Sequence, residues 1–528
     1  MINYKKYKYN NEFFCKLFCQ EIKVTGGKSK MKKNNLALFC ILDILIICIL
    51  SFGIVSGQES TFKSPPAGLL TRAVWLGTLE GTWKEMGFQY GERAAKDIRI
   101  GNDVLWGEIV GRFKGDYEKV IQLSEAMEKH LAALSPEMID FIEGMAEGAA
   151  NELDASPYAN QASNYRRILC QNWELLMRPD YEMFLEEKIA NVSNSDDEIG
   201  GCSGWWVTGP ATKDGETYVS RQSHGGFLDS ENANVVVYVL IPNDLRAKVT
   251  FVQAAAGSIC SGNAFNEDGV YGSIAGAWSN PRTVTGGLGV GDYIAILPAV
   301  VYANSAREAA DYIIYGTPRY RNLTGRETLL RARGSNMMFA DENEAFVVEK
   351  GARVYGVRTP GYLGEKGNSY LSFSNHWKFN TGSYDENNVF HSDIPLDQFC
   401  PEEEGKDTTY RFWQLMWWFN NNYGNITLDS LMRDLSTAHY TFDKEGKRYD
   451  PDPVTGLPIS PYGTLCKHDN ISEEYPLGNG GSWNISIAVP RTREVYWLPA
   501  WPCLFIDHSW NYLNLKLYSD YRNAKYGF

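Results

Sequence analysis

The chain changes character near residue 201. Before that point apolar residues recur at helical spacing. After it, short runs rich in Val, Ile, Tyr and Trp are broken by Gly, Asn, Asp and Pro. A chain that makes its helices in one half and its strands mainly in the other is expected to fold as layered α+β. Upstream, Met86, Tyr90, Ala94 and Ile98 predict a helix over 83–114. A second is predicted from Ser135 as N-cap, with Pro136 at N1, Glu137 in the first turn, and Met138, Phe141, Ile142, Met145 and Ala149 on one face. Helix is expected to continue through 167–187, and 191–201 has the acidic, Gly-ended composition of an exposed loop. Downstream, strands are predicted at 217–220, 233–240, 248–253, 345–349, 485–489 and 495–498, with helices at 305–315, 409–420 and 428–436. There is no internal repeat. One large domain fits better than the three or four that 528 residues suggest at roughly 150 residues each.

Hydrophobic residues make up 44% and charged residues 22%, which excludes a disordered chain, a collagen and a coiled coil. The net charge of −13 comes with no basic block, so nucleic acid is not an expected partner. Residues 36–55 form an apolar run interrupted by Asp43. Met31-Lys32-Lys33 precedes it and Ser56-Gly57 follows. That is the plan of a secretory signal; an uncleaved membrane anchor through 36–55 is the alternative. Residues 1–57 are therefore read as a leader. The remainder is expected to be secreted, or anchored and facing outside. Sequons at Asn191, Asn322, Asn425, Asn470 and Asn484 are compatible with a glycoprotein. Six cysteines lie beyond the leader: Cys170, Cys202, Cys260, Cys400, Cys466 and Cys503. Their spacing is wide and lacks a C-x-x-C pair, so no zinc or other metal site is expected.

One cysteine stands apart. In Gly200-Gly201-Cys202-Ser203-Gly204-Trp205-Trp206 it follows the acidic loop and opens the strand-rich part. Asp214-Gly215 marks a turn, and a strand through 217–220 leads to Arg221-Gln222-Ser223-His224. Hairpin pairing would bring Cys202 together with 221–224. On composition alone Cys202 also reads as a disulfide partner or a small core residue.

The segment resembles the nucleophile region of cysteine N-terminal-nucleophile hydrolases. It is most similar to the isopenicillin N (acyl-coenzyme A:6-aminopenicillanic acid) acyltransferase family, and more distantly to choloylglycine hydrolases and penicillin V acylases. Other patterns agree in order. They are Gly77-Thr78 through Gly87-Phe88-Gln89-Tyr90-Gly91, the run from Phe141 through Gly144 and Gly148 to Ala149, and Gly201-Cys202 as processing site. Asn266-Glu267-Asp268-Gly269-Val270 follows, then Asn336 through Asp341 with Glu349. Last come Ser374-Asn375-His376-Trp377, Thr409-Tyr410-Arg411 and Leu465-Cys466-Lys467-His468.

The resemblance implies a four-layer α/β/β/α sandwich of two antiparallel sheets. It implies self-cleavage between Gly201 and Cys202 into an amino-terminal chain of 58–201 and a carboxy-terminal chain of 202–528, which stay associated as one catalytic domain. The new α-amine, of reference pKa about 7.7–8, would act as base for a thiol of about 8.5. Cys202 would attack a linear amide in a small acyl-amide or peptide-like substrate, without a cofactor. Asn375 is the implied oxyanion donor, with Arg221 and Arg411 favouring the thiolate or orienting the new terminus. Asn266 and Asn336 are oxyanion or structural candidates. His224 stands where the family has an aspartate on the amine. It is a candidate acceptor, with Asp229 the alternative. An ester or phospholipid hydrolase and an inactive extracellular binding protein on the same scaffold remain open. With Cys202 a free thiol and Cys466 expected to be unpaired, any bridge would join two of Cys170, Cys260, Cys400 and Cys503.

Overall fold

The computed structural model describes residues 73–172, 201–226, 235–276, 288–332, 334–351, 355–363, 365–376, 383–384, 390–391, 407–458, 463–469, 480–499, 501–505 and 510–527. The leader, most of 167–187, the 191–200 loop, Asp229, Cys400 and the sequons at Asn191 and Asn470 lie outside them. Phe62–Phe528 forms one compact unit. Among the described residues no helix is long and apolar enough to cross a membrane.

Two sheets carry the fold. The first joins β1 (Ala73–Gly81), β4 (Val235–Pro242), β5 (Thr250–Ala255), β6 (Asn263–Asn266), β7 (Tyr271–Gly276), β8 (Ser335–Ala340), β9 (Ala345–Lys350) and β10 (Tyr355–Arg358) in that order. The second joins β11 (Tyr370–Phe373), β2 (Cys202–Val207), β3 (Tyr218–Gly226), β13 (Gly480–Val489), β14 (Glu494–Pro499) and β15 (Asn511–Asn514). The two-residue β12 (His468–Asp469) pairs beside β13. Every neighbouring pair is antiparallel except β1 with β4, which run parallel. The predicted strands cover β4, β5 and β9 of the first sheet and β3, β13 and β14 of the second. They do not include β1, β6, β7, β8, β10, β11 and β15, and β1 shows that the helical amino-terminal half contributes a strand to the first sheet.

Strand alternation sorts the side chains into three cores. Val235, Val237, Val239 and Ile241 meet Trp206, Val219, Phe373 and Trp497 between the sheets. Their neighbours Val236, Tyr238 and Leu240 face the helices α1 (Trp83–Arg112), α2 (Tyr117–Leu134), α3 (Pro136–Gly148), α4 (Asn164–Gln171), α5 (Asp292–Val301) and α6 (Ala306–Tyr315). On the other side, Trp205, Val207, Tyr218, Tyr370 and Ile487 pack on Phe412, Leu415, Met416 and Phe419 of α7 (Asp407–Asn422). The layers are therefore α/β/β/α, with the closing helix α8 (Leu515–Tyr526) after β15.

The expected helix starts hold to within a few residues. At Ser135 the local chemistry differs. It occupies the N-cap position, but its hydroxyl donates to Glu137 instead of accepting from the backbone. Two glycine pairs gain their meaning only from packing. A Cβ on Gly87 or Gly91 of α1 would lie 2.0 or 2.2 Å from the carbonyls of Phe141 and Met145 on α3. One on Gly144 or Gly148 would lie 2.1 or 2.2 Å from those of Lys84 and Phe88. The two helices cross backbone to backbone, which leaves no room for a methyl group. Gly144→Ala is expected to cost about 1–3 kcal/mol of stability by forcing the helices apart. Gly111→Ala, where the added carbon meets nothing, should be neutral or slightly stabilising. Urea midpoints check this, and equal midpoints for the two variants would sink the close crossing.

Candidate active site

Cys202 opens β2 directly opposite Ser223 on β3, and Gly204 lies opposite Arg221. Residues paired in register share a face, so Cys202, Arg221 and Ser223 point between the sheets. Arg221 is buried there. Its Nε donates to the Ile274 carbonyl at 2.6 Å and one terminal nitrogen to the Ser261 carbonyl at 3.3 Å. That nitrogen also donates to the sulfur of Cys202 at 3.0 Å, and the other donates to the Ser223 hydroxyl. The thiol therefore has a fixed cation beside it, held by carbonyls from the opposite sheet.

The backbone nitrogen of Cys202 is held separately. It donates to Asn375 Oδ1 at 2.6 Å. Arg411 Nη2 donates to the same oxygen at 2.9 Å, and Asn375 Nδ2 donates to the Gly276 carbonyl at 2.7 Å. The guanidinium can only donate, so it requires the oxygen of the amide to face the Cys202 nitrogen. The oxygen of Asn375 thus orients the Cys202 nitrogen, and one of its two amide N–H groups is held by the Gly276 carbonyl.

Arg411, on α7, ties the arrangement together. It donates to the Cys202 carbonyl at 2.5 Å and to Ser203 Oγ at 2.7 Å, and pairs with Asp407 one turn earlier at 3.0 Å. Lys467 lies 3.5 Å from the same carboxylate. Burial pushes the Asp407 carboxyl up, but Arg411 and Lys467 outweigh it and hold the group below the ordinary carboxylate range.

His224 sits on the other face of β3. The alternation that aims Arg221 and Ser223 at the sulfur sends Gln222 and His224 toward α7. His224 Nε2 lies 2.8 Å from the Leu465 carbonyl, which makes it the protonated nitrogen, and Nδ1 has no hydrogen-bond partner among the described residues. Burial, reinforced by Arg411, holds its pKa well below the ordinary value, so the ring is neutral. This corrects the expectation that His224 side-chain atoms replace the aspartate beside the nucleophile. Its backbone does meet the residue before Cys202: the His224 N–H donates to the Gly201 carbonyl at 2.5 Å.

The other candidates are structural. Asn266 accepts from the backbone of Asp268 and Val270 and donates to the carbonyls of Val300 and Ala303, closing a turn onto the end of α5. Asn336 Nδ2 donates to the carbonyls of Ser374 and His376 at 2.6 and 2.9 Å and so positions the segment that carries Asn375. Asp341 accepts from the backbone of Ala306, Asn343 and Glu344, and Glu349 is paired with Arg358.

Sequence reasoning missed Asn484. Read as a sequon, it is a buried residue of β13 opposite Ser223, which rules out a glycan on the folded chain; Asn322 and Asn425 are exposed. Asn484 Oδ1 accepts from Ser223 at 2.8 Å while its Nδ2 has no partner among the described residues, leaving a buried donor on the same face as Cys202. Cys170 and Cys260 are unpaired, and burial pushes both thiols up to about 12. Cys466 and Cys503 are free thiols that lie together with His439 and His468, with all four ligating atoms within 4.8 Å of one another. Cys466 is a free thiol, as expected; no bridge joins Cys170, Cys260 and Cys503 among the described residues, and Cys503 lies beside Cys466.

No family model matches the chain, and no curated protein matches it. Among solved structures, it is similar to two mutants of conjugated bile acid hydrolase from Clostridium perfringens. One has 10% identity and a TM-score of 0.33, over 60% of this chain and 92% of that one. The other has 10% identity and a TM-score of 0.27, over 62% and 87%. It is also similar to penicillin V acylase from Agrobacterium tumefaciens, with 9% identity and a TM-score of 0.23, over 58% and 78%. At these scores the fold assignment rests on the sheets and layers of this chain itself.

The neutral state of His224 has a consequence for stability. A histidine whose folded pKa is depressed binds fewer protons folded than unfolded below about 6.5, so its contribution is lost as pH falls from there toward the folded value. His224→Gln should therefore shrink the drop in Tm between pH 7 and pH 5 relative to the parent protein. Parallel Tm profiles for the two proteins would refute the neutral assignment.

Proposed function

We propose that this protein is a self-processing N-terminal-nucleophile amidohydrolase or acyltransferase, exported from the cell, that cleaves linear amides through a thioester on Cys202. The observation that carries the reading is that the nitrogen and the sulfur of one residue each have their own partner. Asn375 Oδ1 holds the nitrogen and Arg221 holds the sulfur. A nucleophile whose base is its own amine needs both atoms oriented at once.

In the precursor the Cys202 sulfur attacks the Gly201 carbonyl, whose oxygen already accepts the His224 N–H. The bond from that carbon to the Cys202 nitrogen breaks, and the nitrogen takes the thiol proton. Water then hydrolyses the thioester and frees the Gly201 carboxylate. In the mature chain the freed amine takes the thiol proton, the thiolate attacks the substrate amide carbon, and the leaving amine is protonated in turn. Water, or an acceptor amine, resolves the acyl-enzyme. Asn484 Nδ2, a buried donor with no partner among the described residues, is a candidate for the developing oxyanion.

Intact mass of the purified protein tests the reading. Two chains separated between Gly201 and Cys202 are expected, and Cys202→Ala should yield one. A single chain in both, with no acylated Cys202 after incubation with N-acyl amide probes, would overturn it. Among variants, Asn375→Ala removes the acceptor on the nucleophile's nitrogen. It should slow processing and turnover by about 10–100-fold, the worth of a buried hydrogen bond of about 1–3 kcal/mol. Asn266→Ala should leave the rate constant of the folded fraction within about threefold, because its hydrogen bonds serve only the turn onto α5. Equal rate losses for the two would remove Asn375 from the site.

A further inference from the structure

The geometry points to a structural zinc site formed by His439, Cys466, His468 and Cys503. It goes beyond the proposed reaction and shares no atom with the Cys202 site. The four ligating atoms lie within 4.8 Å of one another. His468 Nε2 is 3.7 Å from the sulfur of Cys466 and 3.4 Å from that of Cys503. A tetrahedral ion with Zn–S of about 2.3 Å and Zn–N of about 2.0–2.1 Å separates a sulfur from a nitrogen by about 3.6 Å, so these two edges already have the spacing of a metal-centred tetrahedron.

The surroundings point the same way. His439 Nδ1 lies 2.7 Å from the Gly456 carbonyl, which makes it the protonated nitrogen. Nε2 is left with its lone pair, on the side of the ring that interacts with Cys503. A backbone carbonyl fixing the tautomer of a ligating imidazole is the usual outer-shell device of metal sites. The His468 ring is held from one side by Trp501, stacked at 5.0 Å, and stands perpendicular to the His439 ring at 5.0 Å. Two sulfurs and two imidazole nitrogens select zinc over calcium or magnesium, which prefer oxygen. Four protein ligands leave no open position, so the role is structural. The dication with two thiolates is neutral, which suits a cluster in which Cys466 and His468 are buried.

The ion would join three segments that no regular hydrogen-bond ladder unites: the turn carrying His439, the Cys466–Lys467–His468 stretch, and the short helical turn Pro502–Phe505. The middle stretch also supports the neighbourhood of Arg411. Leu465 accepts from His224, and Lys467 pairs with Asp407. The cluster would therefore staple the back of the segment that steadies Arg411.

Zinc content of the full chain, purified without chelators from zinc-supplemented cells, is the test. About one zinc per chain is expected in the parent protein and equally in Cys202→Ala, so the result does not depend on self-processing. Cys466 and Cys503 should resist maleimide until a chelator removes the metal, and replacement by cobalt(II) should give the visible spectrum of a tetrahedral thiolate site. Cys466→Ser should abolish retention. Where that variant fails to fold, His439→Gln, at the partly exposed edge, should keep the fold by circular dichroism and lose zinc affinity at least tenfold. Less than about a tenth of an equivalent of zinc in the parent, a Cys466–Cys503 disulfide in the non-reduced peptide map, or an unchanged affinity in folded His439→Gln would each overturn the site.

Discussion

The guanidinium of Arg411 is a buried charge, and a charge out of water must be paired and hydrogen-bonded on every side. Its partners are Asp407 on its own helix, the carbonyl of Cys202, the hydroxyl of Ser203 and the side-chain oxygen of Asn375. The partners come from three parts of the fold: α7 itself, the start of β2, and the segment after β11 that carries Asn375. Satisfying one side chain thus fixes where α7 sits on the second sheet, how β2 begins and which way the Asn375 amide points. Arg221 does the same from between the sheets, tied to carbonyls of the first sheet and aimed at the sulfur. The two arginines approach the hairpin from opposite faces, one governing the backbone of Cys202 and the other its side chain.

Much of this was legible in the residues. The Cys202 hairpin, its Asp214-Gly215 turn and the arrival of Arg221 beside the cysteine follow from strand alternation and turn chemistry, which are local rules. In the first sheet β4, β5 and β9 were legible because they are buried and read as apolar runs, whereas β6, β7, β8 and β10 were not among the predicted strands. β1 escaped because its Gly-interrupted sequence gives a weak alternation, and its partner β4 lies far along the chain. The glycines of α1 and α3 were legible as a pattern, but not as a helix crossing, because a close approach is a property of two surfaces together.

The roles within the site were less legible than its membership. His224 is next to the right residues in sequence and on the wrong face in space, a consequence of the two-residue period of a strand. Asn375 was placed correctly, yet the direction of its amide depends on a guanidinium 36 positions away in the chain. The Cys2His2 cluster left only the trace Cys466-x-His468 in the sequence. Its other two members come from separate loops, so no spacing rule could find it.

By itself, the sequence determined the class of architecture, the point where helix-rich chain gives way to sheet, and the one cysteine set at the start of a hairpin. These depend on periodicity and on neighbours a few residues apart. Only the tertiary structure decided which atoms of Asn375 and His224 face Cys202 and Gly201, that Asn484 is an interior donor and not a surface sequon, and that two histidines and two cysteines converge. Those outcomes depend on which buried polar groups must satisfy one another across long sequence separations, and hydrogen-bond pairing in a dry interior is settled only when all the partners are in place.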